Sequence, residues 1–227
     1  MPIERNNPVV CYVTGGSRLR EAERGQVLRE TIRKAIAAGV DWVQVREKDL
    51  SGKALLDLVR DAVGMARAGV YEGKTKRTRV IVNDRLDVAV AAGAAGVHLG
   101  GQSLPVRDVN TWRRAGNASA EFLIGASCHS ASEARAAEND GADYIFFGPM
   151  FETPDKLKFG APQGLENLRE ACCSVKIPVI AIGGVNAENA EDCLRAGAAG
   201  IAAIRMLQEA GNENVLCDAV AHLHRIS

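Results

Sequence analysis

The chain has 227 residues with 28 Lys plus Arg against 28 Asp plus Glu and 47% hydrophobic residues, the composition of a globular protein able to bury a large core. A formal net charge of zero and a pI near 6.9 argue against nucleic acid or an anionic membrane as the main partner and favour small-molecule substrates, while leaving room for a homo-oligomer. The opening MPIERNNP has no apolar signal region, no run of 18 apolar residues occurs, and the six cysteines lack CxxC spacing, so we expect a cytoplasmic protein with reduced thiols.

The first apolar run is VVCYVT at 9–14, and the stretch LREAERGQVLRETIRKAIAAG after it spaces its apolar residues three and four apart, as an amphipathic helix requires. A pattern then recurs in which an Ala-rich helix end reaches a Gly and passes into an apolar strand. It reads AAGVDWVQV, AAGAAGVHL, NDGADYIFF and RAGAAGIAA, around Gly39, Gly93, Gly141 and Gly197. The glycines lie about fifty residues apart, room for two strand-plus-helix units of roughly 25 to 30 residues each. The intervening strands are RVIV at 79–82, FLIGAS at 122–127 and PVIAIG at 178–183, with AENAEDCLRAG as the helix after the seventh strand. Strands apolar along their whole length are buried on both faces, which predicts an α/β fold with a parallel core. The turn TGGSRLR after the first strand does not make a GxGxxG fingerprint, so a single (β/α)8 TIM barrel over residues 1–227 is predicted in preference to a doubly wound sheet. Gly at the helix C-caps suits the left-handed conformation needed there. The basic run GKTKRTR at 73–79 reads as a solvated loop on the face opposite the catalytic loops. The long loop 149–163, which carries Lys156 and Lys158, reads as functional.

In such a barrel the C-terminal ends of the strands share one mouth. QVREK ends strand two, and alternation puts Gln44, Arg46 and Lys48 on one side as an anion clamp, unless Arg46 and Lys48 are spent on a surface ion-pair cluster with Glu47. VIVND ends strand three with Asn83 and Asp84; Asp84 either ligates Mg2+ beside a phosphate-bearing substrate or caps the next helix. GASCHS ends strand five with Ser127 and His129, His129 being an acid or base or a helix cap, while alternation turns Cys128 toward the helices. Strand seven ends in Gly183 and Gly184 and strand eight in Ile204 and Arg205, backbone positions suited to a phosphate. Two anion sites at one mouth suggest a two-substrate transfer reaction.

In these motifs, QVREK, VIVND, GVHLG, GASCHS, GPMFETPDK and PVIAIGGV, the chain resembles the thiamine-phosphate synthase family along nearly its whole length. The resemblance implies a (β/α)8 barrel that joins a hydroxymethylpyrimidine diphosphate to a thiazole phosphate, releasing pyrophosphate with Mg2+ as cofactor. It implies that Gln44, Val45, Arg46, Glu47, Lys48, Asn83, Ser127 and Lys156 hold the pyrimidine diphosphate, with Arg46, Lys48, Ser127 and Lys156 serving catalysis. It further implies that Thr153, Pro154, Asp155, Gly184, Ile204 and Arg205 hold the thiazole phosphate and that Asp84 binds the metal. One departure stands out: where the family usually has a second acidic metal ligand, this chain reads GQSLP and presents Ser103, so that Ser103 or Gln102 would offer a neutral oxygen instead. The similar thiazole tautomerases, which use a His in a segment like SCHS, and a non-catalytic barrel that binds thiamine phosphate are the alternative expectations. In the synthase reading, departure of diphosphate leaves a pyrimidine methyl cation that the thiazole nitrogen captures, with loop 149–163 closing over the site to exclude water.

Overall fold

The computed structural model describes residues 8–15, 21–69, 78–152, 162–204 and 213–225. Eight parallel strands succeed one another around a closed barrel: β1 (Val9–Val13), β2 (Trp42–Val45), β3 (Arg79–Asn83), β4 (Gly96–Leu99), β5 (Leu123–Cys128), β6 (Tyr144–Phe147), β7 (Val179–Ile182) and β8 (Gly200–Ala203). The last pairs with the first, Val10 opposite Ile201. Among the described residues eight α-helices form the outer layer: α1 (Glu21–Ala38), α2 (Gly52–Ala68), α3 (Leu86–Ala92), α4 (Val106–Trp112), α5 (Ala131–Asp140), α6 (Gly164–Ser174), α7 (Ala190–Arg195) and α8 (Glu213–Arg225). Every expected strand is present, β5 displaced by one residue, and α3 and α5 end on left-handed glycines, Gly93 and Gly141, whose N–H groups bond helical carbonyls.

The two-residue alternation of a strand divides the core in two. Val10, Val43, Val80, Val97, Ile124 and Ile145 face outward and pack under the helices. Val9, Cys11, Val13, Trp42, Tyr144, Phe146, Ile180 and Ala202 face inward and fill the barrel. Large and small residues complement one another inside: Gly125 lies in register with Tyr144, and a Cβ on Gly125 would land on the phenol ring. Trp42 meets Tyr144 edge-on with ring centroids 4.6 Å apart.

One expectation changes at the barrel floor. Of the basic run, Thr78 and Arg79 lie among the described residues, and neither is a solvated loop residue. Thr78 is buried and donates its hydroxyl to Val40 O at 2.8 Å, and Arg79 opens β3. Residues 73–77 fall outside the described residues, as do residues 153–161 of the long loop.

Candidate active site

At the C-terminal ends of the strands a cavity of about 150 Å³ is lined by residues that include Gln44, Arg46, Asn83, His98, Ser127 and His129, with Val13, Phe146, Ile182 and Ile204 as apolar walls. Each strand contributes its last inward side chain or the residue just beyond it, which is the geometry a closed parallel barrel imposes.

From β2 the alternation works as expected. Gln44 and Arg46 line the cavity, and the Arg46 N–H donates to the buried Thr14 hydroxyl at 2.9 Å, which anchors the turn out of the strand. Gln44 donates through Nε2 to Asn83 Oδ1 at 2.9 Å, and Asn83 donates through Nδ2 to Asp84 Oδ2 at 2.6 Å. Ser103 donates its hydroxyl to Asp84 Oδ1 and accepts from the Gly100 N–H at 2.7 Å. Lys48 Nζ stands 4.0 Å from Asp84 Oδ2. Asp84 therefore does not cap α3, whose N-cap is Arg85; its carboxylate is held between an amide and a hydroxyl.

Three residues of the QVREK segment are not part of this lining: Lys48, expected at the mouth, lies outside it with its ammonium toward Asp84, and Val45 and Glu47 turn away. Val45 packs on the helix side, and the Glu47 side chain, 1% exposed, takes the Arg24 guanidinium at 3.0 Å. The odd positions of the segment face away from the mouth because alternation that brings Gln44 and Arg46 in must turn their neighbours out. Any contact of Val45 or Glu47 with a ligand would run through the backbone. The ion pair expected as an alternative for the clamp is thus made by Arg24, which leaves Arg46 at the cavity.

The carboxylate of Asp84, the Ser103 hydroxyl and the Asn83 amide are hard oxygen donors, and no cluster of three or more His, Cys, Asp or Glu that could hold a metal occurs among the described residues. That donor set fits Mg2+, which binds through one or two carboxylates and takes the rest of its shell from water and phosphate oxygens. It does not fit zinc, which wants His and Cys.

On β5, Cys128 faces the outer core, and burial with Glu133 nearby pushes its thiol up to about 12, so it supplies no thiolate. Ser130, not His129, caps α5, accepting from the Glu133 N–H at 3.1 Å. His129 Nδ1 donates to the Gly148 carbonyl, which can only accept, so a proton sits on Nδ1. On β7, Gly183 and Gly184 adopt φ of 94° and 75°, and a Cβ on Gly184 would lie 2.7 Å from Phe151 Cβ; only glycine lets the β6 and β7 exits pack this closely. Ile204 lines the cavity. Thr153, Pro154, Asp155, Lys156 and Arg205 lie outside the described residues.

The side chain that residue-by-residue reasoning passed over is His98, in the middle of GVHLG. It is 1% exposed, sits in register with Asn83, and points inward with Nε2 2.9 Å from Ser127 Oγ and Nδ1 3.2 Å from Tyr144 OH. Burial holds its imidazole down at about 3, against the pull of the Asp84 carboxylate and with a smaller push from Arg46. The signal was available: alternation from Gly96 makes His98 the inward residue of β4 nearest the mouth.

Comparison with known proteins matches residues 11–207 to the family model described as thiamine monophosphate synthase. The chain is 41% identical over 185 residues to a putative thiamine-phosphate synthase of Geobacter sulfurreducens, covering 82% of this chain and 81% of that one. It is 45% identical to a thiamine-phosphate synthase of Methanocella arvoryzae, covering 80% of each. Among solved structures, thiamine phosphate pyrophosphorylase from Pyrococcus furiosus superposes with a TM-score of 0.76 at 30% identity, covering 96% of this chain and 98% of that one.

Proposed function

The chain belongs to the thiamine monophosphate synthase family, and from that premise we propose that it is a transferase joining 4-amino-2-methyl-5-hydroxymethylpyrimidine diphosphate to a thiazole phosphate, giving thiamine phosphate and pyrophosphate. The observation that carries the reading is a linked set in which Gln44 and Asn83, lining the cavity with Arg46, are bonded on to Asp84, whose carboxylate is held by Ser103 with Lys48 nearby, a single acid among cations and amides. Gln44 Oε1 is buried without a hydrogen-bond partner among the described residues, which suits an exocyclic amine on an aminopyrimidine. Val13, Phe146 and Ile182 offer the apolar walls that flat heterocycles need.

In this reading Asp84, with Ser103, holds Mg2+, which when bound supplies positive charge to the diphosphate oxygens. Arg46 and Lys48, joined on resemblance by Lys156, stabilise charge on the departing diphosphate more than in the bound ground state, and that difference is what accelerates the reaction. Gly184 and Ile204, with Thr153, Pro154, Asp155 and Arg205 on resemblance, receive the thiazole phosphate through backbone N–H groups. The dry apolar walls keep water from the pyrimidine methyl cation until the thiazole nitrogen captures it. We place the reaction in the cytoplasm, because both substrates carry phosphate charges that a hydrocarbon layer excludes. No helix among the described residues is long and apolar enough to cross a membrane.

Purified protein mixed with both substrates tests the reading. Thiamine phosphate should form, EDTA should stop its formation, and Arg46→Ala or Asp84→Ala should each lower kcat by about 10² to 10³ with both substrates saturating. Near wild-type turnover in either variant overturns the assignment. Turnover of the thiazole phosphate alone, dependent on His129 and indifferent to EDTA, would identify a tautomerase instead.

A further inference from the structure

From the barrel interior to the cavity wall runs a line of three polar groups, Tyr144, His98 and Ser127, of which the synthase reading uses only the last. Tyr144 OH, buried on a side chain 1% exposed, lies 3.2 Å from His98 Nδ1, and His98 Nε2 lies 2.9 Å from Ser127 Oγ. Counting donors orients the line. With the proton on Nδ1, the imidazole would donate to the phenol oxygen, and the phenol proton would be left without an acceptor among the described residues, where Tyr144 OH is bonded to His98 alone. A buried donor left unpaired is strongly disfavoured. With the proton on Nε2, Tyr144 donates to Nδ1, Nε2 donates to Ser127 Oγ, and every buried donor is used. A ring with protons on both nitrogens would likewise donate from Nδ1 to the phenol oxygen and leave the phenol proton unpaired, so the count admits one proton, on Nε2. Ser127 Oγ, having accepted from His98, retains its own proton, and the cavity that Ser127 lines is the open direction.

We propose that Tyr144 and His98 are positioning residues that form a one-way hydrogen-bond chain locking the Ser127 hydroxyl as a donor toward the cavity. A serine hydroxyl is otherwise free to rotate and to act as donor or acceptor. Fixed in this way, it meets an acceptor atom of the bound substrate without reorganising, which is where preorganised donors gain their advantage over water. Given the synthase reading, on which this step rests, the acceptor belongs to the pyrimidine diphosphate and not to the thiazole phosphate.

The chain can be read without any substrate. Imidazole ¹⁵N NMR at pH 7, with His98→Gln used to assign the signal, should show His98 neutral with its proton on Nε2; a proton on Nδ1, or on both nitrogens, overturns the proposal. Kinetically, Tyr144→Phe deletes one hydroxyl that does not line the cavity. It should lower kcat/KM for the pyrimidine diphosphate about tenfold, leave KM for the thiazole phosphate unchanged, and add no further loss in a Ser127→Ala background. Losses that multiply across the two sites overturn the chain, because independent residues would then be acting. A protein without synthase turnover would sink the reading of the reaction and leave the tautomer measurement to decide the chain alone.

Discussion

Asp84 has φ of 61°, in the left-handed region that non-glycine residues seldom enter, immediately after the last residue of β3. Aspartate tolerates that region better than most residues, and the surrounding bonds over-determine it: its N–H donates to His98 O at 2.8 Å while its carboxylate takes Asn83 and Ser103. The conformation aims one carboxylate at the mouth. Ser103 takes up one lone pair of that carboxylate where a second acid would have repelled it. A neutral partner keeps the metal-free site relaxed and leaves fewer charges to hold a divalent ion. We therefore expect Ser103→Asp to bind Mg2+ roughly tenfold more tightly, read by calorimetric titration, and to melt at lower temperature than wild type when the metal is chelated. An unchanged Mg2+ affinity would remove Ser103 from the donor set.

At the scale of elements, β5 and β6 set the floor of the site. Their register puts Gly125 against Tyr144, so the strand gives up a side chain to seat a phenol whose hydroxyl reaches His98. Gly125→Ala should overpack this layer and cost about 1 to 3 kcal/mol in urea unfolding, and it should also lower kcat/KM by displacing Tyr144. A neutral effect on both would mean that the ring is seated by other contacts. The strands themselves were legible in the sequence because parallel barrel strands are apolar on both faces and every second one, β2, β4, β6 and β8, starts after a glycine-marked turn. QVREK and VIVND were legible too, since alternation alone sorts Gln44 and Arg46 from Val45. Glu47 was not, because its partner Arg24 sits in α1, and no local rule pairs residues on different elements. His98 escaped for the opposite reason: one polar residue in an apolar strand carries no periodic signal, and its meaning comes from Tyr144 and Ser127, contributed by two other strands.

At the scale of the whole molecule, the repeat that announced the fold also braces its far end. Asp41 and Asp143 each stand two residues after a left-handed glycine, in GVDW and GADY, and each carboxylate accepts from a backbone N–H of the preceding strand: Val10 at 2.9 Å and Ile124 at 2.7 Å. Each also holds a cationic or imidazole partner from the helical layer, Arg113 for Asp143 and His224 at 2.7 Å for Asp41. The second link spans 183 residues of chain and ties α8, which packs on α1 and β1, to the strand pair where the barrel closes. A clamp that joins the two ends of the chain acts on the cooperative unit rather than on one segment. Asp41→Ala should therefore lower stability by about 2 to 4 kcal/mol in a single urea transition with an unchanged m-value, and leave kcat near wild type because the clamp lies at the end opposite the mouth. If α8 instead came off in an early, separate transition while the remaining helical signal melted at the wild-type midpoint, closure would depend on the β1–β8 ladder alone.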